Sequence, residues 1–176
     1  TRTRFSPSMF KGTFFSTGGY SAEYGQALSS VLSLETNDMP VRNQTDISVM
    51  TVGGGVSHTQ TFEKAAVIGS LNYTDLRPYQ AVVPQNFSWE RAPYSYNGEA
   101  MYRQTLSKKS TIKAYYTHQG AGMHLYQPQA GVEGAGREVN LKNQFDYGNI
   151  NFKSRFNDTW LLRGGLAGTF NRDNIS

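Results

Sequence analysis

The chain has 176 residues, a net charge of +4, 18 glycines, 11 tyrosines, 10 phenylalanines and no cysteine. Low charge with many aromatics excludes a disordered chain, and the absence of cysteine excludes disulfides and thiolate metal sites. The basic residues are scattered rather than blocked, which argues against a nucleic-acid partner; no apolar run of about 18 residues exists to form a transmembrane helix.

Residues 1–17 hold Pro7, Gly12 and the phenylalanines 10, 14 and 15, and read as loop with one short strand. No secretory leader is expected within the chain, and its patternless ends suggest a piece of a longer protein. Residues 19–25 read Gly19-Tyr20-Ser21-Ala22-Glu23-Tyr24-Gly25. A small and apolar stretch follows at 28–34. Leu28, Val31 and Leu32 fit helical spacing, with Ser21 as a cap, but Gly25 and the serines at 29, 30 and 33 oppose a helix. Alternation of Leu28, Ser30, Leu32 and Leu34 fits a strand, which Asn37, Asp38 and Pro40 then break.

This stretch resembles the end of the plug domain of TonB-dependent outer-membrane receptors, a family abundant in Bacteroidetes-like bacteria. The resemblance rests on Gly19, Tyr20, Ala22, Glu23, Tyr24 and Gly25, in order, before the 28–34 strand. It implies that residues 1–40 are the C-terminal part of a plug and residues 41–176 the first strands of a β-barrel. It further implies a bacterial outer-membrane location and uptake of an extracellular nutrient ligand by energy-coupled plug movement. The partners implied are the TonB energy-transducing complex, acting through a box upstream of this chain, and outer-membrane lipid. Glu23 and Tyr24 would sit at the contact between plug and barrel.

Six strands are expected beyond residue 41: 47–54, 65–74, 98–106, 111–117, 145–156 and 159–170. In the second, Ala65, Val67, Gly69, Leu71 and Tyr73 form one apolar face; in the fifth, Gly148, Ile150, Phe152 and Phe156 do. Alternation over about nine to eleven residues is what a tilted membrane strand needs. The fold class is therefore all-β, an antiparallel meander of hairpins forming part of a plugged outer-membrane barrel. Tight turns are expected at 107–110 and 157–158, and long loops at 75–97 and 119–142. Short turns at one rim and long loops at the other fit an up-and-down barrel. With six strands, however, the first would run away from the long-loop rim, opposite to a strand leaving a plug. Either two strands are merged near 57–64, or the Leu28 strand pairs differently.

No catalytic constellation emerges from spacing, so no enzyme and no cofactor is expected. His118 and His124 flank a glycine-rich loop, with Glu133 or Glu138 as a conceivable third ligand, but their spacing does not propose a metal site. Gly53-Gly54-Gly55 reads as a bulge or bend. The binding candidates are the aromatics of the long loops, Trp89, Tyr94, Tyr96 and Tyr126, which could stack on a ligand or form an interfacial belt. The alternative to a receptor is a soluble secreted or surface β-rich ligand-binding module, in which the Val67/Leu71 and Ile150/Phe152 faces would meet in a dry core.

Overall fold

A computed structural model describes residues 10–18, 31–36, 40–83, 88–128 and 136–176. The chain forms two compact units, Thr1–Pro40 and Val41–Ser176. In the first, β1 (Phe10–Ser16) pairs antiparallel with β2 (Val31–Thr36), with a register shift between Phe10 and Gly12. The 28–34 stretch is thus a strand from Val31 onward; residues 28–30 and the motif Gly19, Tyr20, Ala22, Glu23, Tyr24 and Gly25 lie outside the described residues.

The second unit is one open antiparallel sheet of seven strands in sequence order. These are β3 (Gln44–Met50), β4 (Gly53–Thr61), β5 (Ala65–Asp75), β6 (Ser88–Ser107), β7 (Ser110–Pro128), β8 (Gly136–Arg155) and β9 (Leu161–Ile175). The six expected strands are seven, because 47–54 is not one strand. It turns at Thr51 and Val52, and Met50 faces Gly53 across a hairpin. Glycine is needed on the returning strand: a Cβ at Gly53 would overlap the Tyr73 carbonyl of β5. Gly53 to Gly55 therefore open a strand rather than forming a bulge.

The extra strand reverses the direction of β3. The connections at 62–64, 108–109 and 156–160 lie at one end of the sheet. Those at 51–52, 76–87 and 129–135 lie at the other, and β3 runs toward this second end.

Both long loops are shorter than expected. The first holds a six-residue helix, α1 (Arg77–Val82), begun by Pro78, before β6 starts at Ser88. The second shrinks to 129–135, because β7 and β8 pair without a shift from Ser110 opposite Ser154 to Pro128 opposite Gly136. Gly120, Gly122 and Gly136 read as loop signals in sequence. They stay in strands because tyrosine rings cover them, as described below.

Register assigns every side chain to a face, since directly opposed residues share one. The row Leu71, Gly98, His118, Asp146 and Phe170 points outward, as does the row Val67, Tyr102, Ala114, Ile150 and Leu166. Ile47, Val49 and Val56 continue this outward face onto β3 and β4. It remains exposed: Leu71 by 64%, Ile150 by 53% and Leu166 by 82%. The opposite face is mostly polar, yet much of it is buried, with Ser70, Thr74, Glu99 and Thr117 packed beside Met101, Tyr115 and Phe145.

This inverts the usual arrangement of a water-soluble sheet, which buries its apolar face. Complete burial of one large aliphatic side chain stabilises by about 1.5–3 kcal/mol, so the outward face holds a large driving force that the chain itself does not use. The Val67/Leu71 and Ile150/Phe152 stretches lie side by side on one face of one sheet instead of meeting across a core.

The apolar band also slants. On β3 and β4 it occupies Ile47, Val49 and Val56, near the 51–52 turn; on β8 and β9 it occupies Ile150, Phe152 and 162–170, displaced toward the 156–160 turn. Among the described residues no helix is long and apolar enough to cross a membrane, which leaves strands unconsidered.

Candidate functional site

β6, β7 and β8 are 20, 19 and 20 residues long, against 11 for β5, so they project beyond the apolar band at the long-link end. Trp89, Tyr94 and Tyr96 lie on β6 and Tyr126 on β7, on strands rather than loops. Tyr96 is directly opposite Gly120, and Tyr94 opposite Gly122. A Cβ at Gly120 would overlap the Tyr96 ring, and one at Gly122 would stand 2.8 Å from the Tyr94 hydroxyl. Tyr126 covers Gly136 in the same way. Each ring supplies contact area that the glycine lacks and keeps a weak strand former paired. Trp89 pairs with Leu125 on the other face. Trp89 and Tyr94 border one recess, described below, which neither Tyr96 nor Tyr126 lines, and the three tyrosines each cover a glycine.

What does converge was not legible in sequence. A recess of about 270 Å³ on the outward face is lined by Glu90, Arg91, Tyr94, His124, Asn140 and Lys142. His124 Nδ1 lies 2.9 Å from Glu90, and its Nε2 lies 4.0 Å from Glu138. The Arg91 guanidinium stands 6.0 Å from the Tyr94 ring centroid. Bulges between Trp89 and Tyr94 bring Glu90 and Arg91 to this side.

A second recess, of about 470 Å³, lies between the end of β5, α1 and β6, with Asp75, Arg77, Gln80 and Trp89 among its lining. Asp75 organises it, accepting from the Arg77 backbone N–H at 2.9 Å, Arg77 Nε at 2.8 Å and the Tyr73 hydroxyl at 3.1 Å. The Arg77 guanidinium completes an ion pair at 2.7 Å. These donors hold the Asp75 carboxyl down at about 2, and the carboxylate in turn raises Arg77.

A third cluster lies on the polar face. Glu99, only 4% exposed, accepts from the Tyr115 hydroxyl at 3.2 Å, with the Ser70 hydroxyl at 3.5 Å. Asn97 Nδ2 donates to the buried Thr117 hydroxyl at 3.3 Å. Toward the short-turn end this face turns basic: Arg103 is directly opposite Lys113, and Lys153 opposite Arg163.

The histidines separate. His118 pairs with Asp146 at 2.8 Å, where Asp146 also accepts from the Tyr116 hydroxyl at 2.6 Å, while His124 belongs to the outward recess. Glu133 lies outside the described residues. Among the described residues no three His, Asp or Glu side chains are placed to hold a metal ion. No sequence signal announced the recesses, because they depend on strand register and on two bulges in β6. Compared with protein-family models, curated proteins and solved structures, the chain matches none.

Proposed function

We propose that the chain is part of a TonB-dependent outer-membrane receptor, contributing the end of the plug and the first barrel strands, and taking part in energy-coupled uptake of a nutrient ligand. The observation that carries this reading is the inside-out sheet. A continuous apolar face of seven strands is left exposed, while polar side chains bury one another on the reverse. Lipid covers the first in a membrane barrel, and a polar lumen receives the second.

Three further features support it. The band slants across the register, as it must where a flat lipid slab meets tilted strands. β3 runs toward the end with the long links, the direction expected of a strand that enters the outer membrane from the inner side. Seven strands in an open sheet are fewer than the roughly eight that close the smallest barrels, so further strands would be supplied by a longer protein.

The test is fractionation of the source cells with an antibody to this chain, comparing the band with and without boiling. The reading expects a heat-modifiable outer-membrane band several times larger than the chain. A soluble or secreted band near the chain's own size would replace the receptor with a free-standing β-module.

A further inference from the structure

On the outward face, immediately beyond the apolar band at the long-link end, stand two cations on neighbouring strands. Lys142 of β8 faces Asn174, and Arg172 of β9 faces Gln144, which makes Lys142 and Arg172 diagonal neighbours on the same face. Diagonal positions lie about 7–8 Å apart, so both long side chains can reach one small anion. Among the described residues neither makes an ion pair, whereas acids of this face are engaged elsewhere, Asp146 by Tyr116 and His118 and Glu90 by His124. Lys142 also borders the outward recess with Tyr94 and Asn140, which offer hydrogen-bonding groups beside it.

Below the cations the band is hollowed. Ala100, Ala114, Gly148 and Gly168 floor an apolar depression of about 470 Å³, walled by residues that include Ile150 and Leu166. Gly168 and Arg172 are four residues apart on β9, about 13 Å at the rise of a strand, which is within the length of an acyl chain. One outward row, Asp146 with Phe170, separates the cations from the slot, and an anion site above an apolar slot is complementary to one kind of molecule.

We propose that the outward face of β7 to β9 binds an anionic lipid, its phosphate between Lys142 and Arg172 and an acyl chain in the depression below. The inference rests on the membrane reading above. It adds a specific lipid site on the wall, separate from any ligand carried through the lumen.

The test is flotation of the full chain with vesicles of phosphatidylcholine, alone or mixed with phosphatidylglycerol. The expected result is recovery with both, with the anionic lipid raising the partition coefficient roughly thirtyfold, the combined effect of two cations at a membrane surface. The double variant K142Q/R172Q should lose that rise and keep its recovery with phosphatidylcholine, while K142R/R172K keeps both. K108Q/K109Q, at the opposite end of the sheet, should leave the rise intact. If K142Q/R172Q retains the rise, or K108Q/K109Q removes it equally, binding is diffuse attraction and the site does not exist. Failure to float with either vesicle would overturn the membrane reading itself, a result distinct from loss of the anionic increment alone.

Discussion

Tyr96 lies across the Gly120 backbone of the neighbouring strand, in the space that any other residue's Cβ would need. The pairing explains how β7 continues through Gln119-Gly120-Ala121-Gly122 instead of breaking there. A Gly120→Val substitution should destabilise the sheet by about 1–3 kcal/mol through overpacking against the ring. In a Tyr96→Ala background the same substitution should cost much less, because the space has been vacated. Denaturant unfolding of the four proteins in one detergent measures the coupling. An unchanged Gly120→Val penalty without the ring would refute the contact.

Asp75 predicts a pH effect with a defined sign. Its carboxyl is held at about 2, below the ordinary 3.8, chiefly by Arg77. A depressed folded value means that the junction of β5 and α1 gains stability that is full above pH 4 and is lost as pH falls through the folded value near 2. Hydrogen exchange at α1 should therefore be constant from neutral pH down to about 4, after allowance for the intrinsic rate, and rise below it. Asp75→Asn should show weaker protection at neutral pH and no such step. A step of equal size in the variant would assign the effect to another group.

These two residues mark what sequence could and could not carry. Alternation at Val67 to Tyr73 and at Ile150 to Phe152 survives because a period of two is written directly into the chain. The apolar face was legible for that reason. Gly120 and Gly122 misled because a glycine pair signals a loop until the tyrosine opposite is known, and the opposite residue is set by register. The turn at Thr51 and Val52 was hidden because two strands follow each other with nothing between but two ordinary residues, and Gly53 is required by the Tyr73 carbonyl of a later strand. Glu90, Arg91, His124 and Lys142 gather from three strands across two bulges, a juxtaposition with no local trace. The plug-like motif falls outside the described residues, so its support is the sequence resemblance itself.

Leu166 and Ala167 give the sharpest test of the two faces. They are consecutive on β9, and both are exposed in the chain as it stands. Leu166 points outward opposite Ile150, and Ala167 points to the polar face opposite Asn149. Since both are exposed, a long charged side chain at either position displaces little protein packing. If the outward face meets lipid, Leu166→Arg should cost about 2–4 kcal/mol near the bilayer midplane and deplete the heat-modifiable form of the parent protein. Ala167→Arg should assemble normally, because a lumen-facing cation stays hydrated. If this same open sheet stood in water, both faces of the strand would be solvated, and the two variants should behave alike. Equal assembly of Leu166→Arg and Ala167→Arg would therefore remove lipid from the outward face and the receptor reading with it.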